Sequence, residues 1–185
     1  MYDKRVKDIM IPVSQYPCIK EDASMYDAIV LLKKAIDFRA AGQEPFRAVL
    51  VKNNEGLIIG KVGLLGFLKG LEPKYQSIFD IEKLSRVPQL SAGFLDSLVT
   101  QYNLWENNPL DLCTQAKTTN IKDIMIPIDQ HIDQDETIKS AIHKIIMWQT
   151  VSILVSSGEE IVGILRLKDL YLSVEDYIIN EHTKK

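Results

Sequence analysis

Val6-Lys7-Asp8-Ile9-Met10-Ile11-Pro12 returns as Ile121-Lys122-Asp123-Ile124-Met125-Ile126-Pro127, with a single Val/Ile exchange between the copies. A match this close in a short chain signals an internal repeat. The likeness extends downstream of both copies. An acidic turn follows each (Glu21-Asp22, Asp135-Glu136), then a hydroxyl residue (Ser24, Thr137) and a helical pattern containing Ala-Ile (Ala28-Ile29, Ala141-Ile142). Next comes an aliphatic strand, Ala48-Val49-Leu50-Val51 against Ser152-Ile153-Leu154-Val155. After a turn a second strand follows, Leu57 to Val62 against Glu160 to Leu165. Each copy reads strand, helix, strand, strand, helix. Two units this small are expected to share a core by packing on one another.

The 185 residues are 46% hydrophobic and 25% charged, an ordinary globular composition, with a formal net charge of −3. No global field therefore favours nucleic acid or an anionic membrane. The longest apolar stretch, Val62 to Leu68, falls far short of the roughly 18 residues a membrane span needs. Cys18 and Cys113 have neither metal-ligand spacing nor the number for a disulfide framework, which points to the reducing cytoplasm. Met1 to Arg5 is charged and does not read as a signal core.

In chain order, the first heptapeptide is expected to be extended up to Pro12, because the residue before proline avoids the helical region. Ser24 to Asp27 reads as a capping box, with Met25, Ala28, Ile29, Leu32, Ala35 and Ile36 on one helical face. Residues Arg39 to Phe46 have no counterpart in the second copy and read as an inserted loop. Lys52 to Gly56 and Ser156 to Glu159 are hairpin turns. In the second copy Thr137 is the expected cap, and Ile138, Ala141, Ile142, Ile145 and Ile146 the matching face. Between the copies, Leu71 to Asn120 is too apolar for a disordered linker. Leu95, Leu98, Val99 and Tyr102 predict a helix after Ser91, and Asn108-Pro109 a second helix start. The expected division is a first repeat over 1–70, a helical insert over 71–117, and a second repeat with a C-terminal helix over 118–185. A helix-turn-helix reading of the insert fails on charge, since Leu71 to Lys117 carries more acidic than basic residues.

Little in the sequence supports an enzyme. His131, His143 and His182 pair with no nucleophile in sequence, and no metal-ligating cluster stands out. Gly56 to Lys61 lacks the four-residue gap and the hydroxyl of a phosphate loop. What remains is Gly163-Ile164-Leu165-Arg166-Leu167-Lys168-Asp169, where a strand feeds a helix and Asp169 sits near the helix start. That carboxylate has two readings, a first-turn residue favoured by the helix dipole or an acceptor for sugar hydroxyls.

At this point the chain resembles a tandem pair of CBS domains, a Bateman module. The likeness rests on the doubled Lys-Asp-Ile-Met-Ile-Pro, the acidic turn before the Ala-Ile helix, the Ile-Leu-Val strand and the Gly-Ile-Leu-Arg-Leu-Lys-Asp-Leu end. It spans residues 5 to 70 and 118 to 178. The resemblance implies an α/β (α+β) fold of two βαββα repeats packed through their sheets, with clefts for adenosine-containing ligands and assembly as a homodimer. The family's nucleotide motif runs Gly, an apolar residue, any residue, Ser or Thr, two more residues, then Asp. The second copy keeps Gly163 and Asp169 but carries Arg166 at the hydroxyl position. The first copy has Gly60, then Gly63 for the hydroxyl and Gly66 for the Asp.

The resemblance thus implies at most one competent site. Asp169 would take the ribose, Arg166 the phosphate, and Gly163 and Ile164 would lie against the adenosine. Met125, Ile126 and Pro127, or Met10, Ile11 and Pro12, would wall the base. The ligand would be AMP, ADP, ATP or S-adenosylmethionine, acting as a regulator with no cofactor required. The expected function is a non-catalytic sensor that signals to a separate effector protein. The alternative is a dimeric interaction scaffold with degenerate clefts.

Overall fold

A computed structural model describes residues 4–37, 45–76, 78, 90–106 and 109–182. The fold is mixed α+β. Its strands are β1 (Ile11–Pro12), β2 (Cys18–Lys20), β3 (Ala48–Lys52), β4 (Ile58–Gly63), β5 (Ile126–Pro127), β6 (His131–Asp133), β7 (Ser152–Ser157) and β8 (Glu160–Arg166). They form two four-stranded sheets, ordered β1-β8-β7-β6 and β2-β3-β4-β5. The helices are α1 (Met25–Asp37), α2 (Leu64–Leu71), α3 (Ala92–Tyr102), α4 (Pro109–Thr118), α5 (Ile121–Ile124), α6 (Ile138–Trp148) and α7 (Leu167–His182). The loop expected from Arg39 lies outside the described residues as far as residue 44, and so does Asn108.

The heptapeptides are extended only at their ends, β1 and β5. Val6–Asp8 winds into a 3₁₀ turn and Ile121–Ile124 into α5, which corrects the expectation of a wholly extended first copy. In the first copy the Asp8 carboxylate accepts the Arg5 backbone N–H at 2.7 Å, a side-chain bond that competes with strand pairing.

The chain divides into two compact units. One comprises Met1–Cys18, Leu50–Lys61 and Pro127–Lys185; the other comprises Ile19–Val49 and Val62–Ile126. Both cut across the division at 70 and 117.

In the first unit the N-terminal heptapeptide seats on the second repeat. β1 runs antiparallel to β8, pairing Ile11 with Ile164 and Pro12 with Gly163. Upstream, the Val6 N–H donates to the Glu136 carbonyl at 3.0 Å and the Lys7 N–H to that of Gln134 at 2.9 Å. Val6 is fully buried in one cluster with Ile138, Ala141 and Ile145 from α6 and with Ile153, Val155 and Leu165 from the sheet. The Thr137 hydroxyl caps α6 as expected, accepting the Ser140 N–H. Gly158, at φ 62°, makes the β7–β8 turn in a conformation few side chains tolerate. Leu154 is buried, but Ile142 only flanks the cluster, and its counterpart Ile29 is 36% exposed. The helix faces are narrower than the periodicity implies. In each Ala-Ile pair it is the alanine that is fully enclosed.

In the second unit the other heptapeptide seats on the first repeat. The Met25 N–H donates to the Thr119 carbonyl at 2.8 Å and the Ile121 N–H to that of Ala23 at 3.0 Å. Ser24 closes the capping box with Asp27, accepting its N–H at 3.1 Å and donating to its carboxylate at 2.7 Å. The insert is tied to the end of α2 by Glu72, which is fully buried. Its carboxylate accepts the backbone N–H groups of Trp105 at 2.8 Å and Lys74 at 3.3 Å. Helix α3 starts where expected, with the Ser91 hydroxyl accepting the Phe94 N–H. Its apolar stripe is not core: Leu95 and Val99 stay exposed.

Candidate functional site

The strand–helix junction at the end of β8 is where the sequence placed its chemistry, and it lies within the first unit. Arg166 closes the strand and Asp169 sits in the first turn of α7, three residues on. That spacing brings the two side chains together. The guanidinium grips the carboxylate with two bonds, Nε to Oδ2 and Nη2 to Oδ1, each 2.6 Å, with both side chains mostly shielded from solvent. Parallel bonds of this kind are strong and fix both planes. The residues assigned to different parts of a ligand are thus bonded to each other. Arg166 therefore orients Asp169. A carboxylate has about four lone-pair sites, so its oxygens retain acceptor capacity beyond the two guanidinium bonds.

The first unit also holds Met10, Ile11, Pro12, Gly163 and Ile164. A Cβ built on Gly163 would stand 2.7 Å from Met10 Sδ and 2.9 Å from the Ile11 carbonyl oxygen. Glycine is required there because the Met10–Ile11 backbone and the Met10 side chain pack close against β8 at that point. Met10, Ile11 and Pro12 are all half-buried, so each keeps some accessible surface. Ile164 does not: it is fully buried, which removes it from the surface that was to lie against an adenosine. Of the second apolar set, Met125 and Ile126 belong to the other unit. Pro127 lies in the first unit, and the first copy is the one paired with Gly163.

The residue that the sequence reading missed is Lys61. From β4 its ammonium donates to the Ser152 carbonyl oxygen at 2.6 Å and to the Ser152 hydroxyl at 2.9 Å. Thr150 Oγ1 also donates to that carbonyl, at 3.0 Å. Ser152 pairs directly with Arg166 across the β7–β8 ladder. Burial lowers the Lys61 pKa from 10.5 to about 8. The signal was present as a lysine in an otherwise apolar strand, but alternation along β4 assigns such a residue to solvent.

A groove of about 510 Å³ also lies in the first unit, lined by Pro12, Val13, Lys52, Leu57, Glu160 and Val162 among others. It shares only Pro12 with the expected set, and neither Arg166 nor Asp169 borders it. Among the described residues no cluster of His, Cys, Asp or Glu is arranged to hold a metal ion. Nor is any described helix long and apolar enough to cross a membrane.

No family model and no curated protein matches the sequence. Solved structures do match. CBSX2 in complex with AMP aligns over 93% of this chain and 97% of its own, at 16% identity and a TM-score of 0.59. A CBS domain-containing protein of unknown function from Bacillus anthracis aligns over 95% of both chains, at 13% identity and a TM-score of 0.63. The cytosolic domain of the Mg2+ channel MgtE in complex with ATP aligns over 94% of this chain and 50% of its own, at 14% identity and a TM-score of 0.57. At these identities the likeness is one of fold.

Proposed function

We infer that this chain, whose fold is that of a tandem CBS-domain pair, is a non-catalytic regulatory module that senses an adenosine nucleotide and signals to a separate effector protein. The observation that carries this reading is the Asp169 carboxylate, held by Arg166 at the end of β8, the strand whose Gly163 pairs with Pro12. Neighbours of the same fold with AMP and ATP bound support an adenine nucleotide. In this reading Asp169 accepts the ribose hydroxyls. Arg166 sets the plane of that carboxylate, and Met10, Ile11 and Pro12 supply apolar surface for the base, which needs contacts more than charges.

Calorimetry with AMP and adenosine tests it. Asp169→Ala removes two charge-assisted bonds and is expected to weaken both ligands about 100-fold. Because Arg166 acts through Asp169, Arg166→Ala is expected to weaken AMP and adenosine alike. Equal affinity in wild type and Asp169→Ala would remove the ribose role.

One set of exposures favours a second role as an assembly element. Ile146 and Met147 on α6 are each 65% exposed, and Val151, Tyr171 and Ile178 also stand open. Exposed apolar side chains of this size favour an interaction role. We propose that a second copy covers it, giving a homodimer. Light scattering is expected to return twice the 21.0 kDa chain mass. A monomer mass at every concentration would overturn the dimer.

A further inference from the structure

Lys61 follows Gly60, where the motif calls for an apolar residue and where the second repeat has the fully buried Ile164. A half-buried lysine there carries a cost, because an ammonium partly withdrawn from water needs compensation. The compensation it has is incomplete. Its two bonds go to the neutral oxygens of Ser152, whereas an ammonium carries three N–H donors. Among the described residues no carboxylate pairs with it, and burial alone accounts for its lowered pKa.

The nearest strand neighbour of Ser152 is Arg166, directly opposite on β8. Such partners share a sheet face, with Cβ atoms about 4.5–5.5 Å apart. The charge of Arg166 is balanced by Asp169 through the paired bonds. Among the described residues no salt bridge is made by Lys61. This corner therefore brings together the Ser152 and Thr150 hydroxyls, the Arg166–Asp169 pair and the Lys61 ammonium.

We propose that Lys61 is the phosphate anchor of this site, its ammonium donating to a phosphoryl oxygen of the ligand while the Ser152 hydroxyl lies alongside. The site then prefers a phosphorylated nucleoside over both the neutral nucleoside and the cationic sulfonium of S-adenosylmethionine. The nucleoside half rests on the function proposed above. The phosphate half stands on Lys61 alone, and inorganic pyrophosphate probes it directly.

The experiment uses the full chain with isotope-labelled lysine side chains, the Lys61 signal being assigned by its loss in Lys61→Met. Pyrophosphate and AMP are each expected to move that signal saturably and to raise its pKa from about 8 toward the ordinary lysine value. By calorimetry, AMP is expected to bind wild type at least about tenfold more tightly than adenosine, the effect of one charged hydrogen bond. Lys61→Met is expected to remove that advantage and leave adenosine unchanged. If Lys61→Met does not fold, the wild-type titrations decide. A Lys61 signal indifferent to pyrophosphate and AMP overturns the proposal, as does a variant that keeps the preference for AMP. Adenosine and AMP binding equally well would sink the anchor and spare the nucleoside reading. Pyrophosphate acting on Lys61 with no adenosine or AMP binding would do the reverse.

Discussion

Gly163→Ala is expected to lower stability by about 3 kcal/mol, the upper end of the overpacking range. The added methyl would meet Met10 Sδ at 2.7 Å and the Ile11 carbonyl oxygen at 2.9 Å. A methionine tip can swing aside. The carbonyl cannot, because it belongs to β1, whose Ile11 is paired with Ile164. Relief therefore requires β1 to lift from β8. That movement pulls on Val6, which is fully buried in the core beneath. Gly93→Ala is the matched control. A Cβ there meets nothing within 4 Å, and the residue lies in α3, so the change is expected to be neutral or stabilising by up to about 1 kcal/mol. Urea denaturation of both variants checks the pair. A Gly163→Ala loss under about 0.5 kcal/mol would mean that β1 shifts without cost.

Leu154→Ala is expected to cost about 2–5 kcal/mol, because the side chain is 2% exposed in the centre of β7 and the strands on either side hold the cavity open. Ile142→Ala removes a similar volume but is expected to cost less than about 2 kcal/mol, since Ile142 only flanks the buried cluster and solvent already reaches it. The difference between the two variants is the useful quantity. Chemical denaturation giving equal losses would contradict this order of burial.

The doubled heptapeptide, the Ser24 and Thr137 caps and both hairpins were legible because each depends on a few neighbouring residues. β2 and β6 were not. Each has three residues, and in β6 only Ile132 is buried, too short a run to show alternation. The exchange of heptapeptides was also hidden, because nearly identical segments carry no record of which repeat each one joins. At the site, Asp169 and Arg166 could be named from the motif. Their mutual bond follows from the i,i+3 spacing, but only once the helix start is fixed between them. The contact of Lys61 with Ser152 could not be read. The two are some ninety residues apart in sequence, and no local pattern joins them.

The pairing of β1 with β8 has a consequence for how the chain is made. Ile164, the strand partner of Ile11, is translated about 150 residues after it. Until then β1 has no strand to join, although α6 is already there for Val6 to pack on. The unit built from Ile19–Val49 and Val62–Ile126 has all its residues once Ile126 is out, so it is free to form first. The unit carrying Lys61, Arg166 and Asp169 must wait for β8. Contacts this distant in sequence slow folding. A nascent chain stalled before β8 would therefore present an unpaired N-terminal segment, which is where a chaperone or a protease would find it.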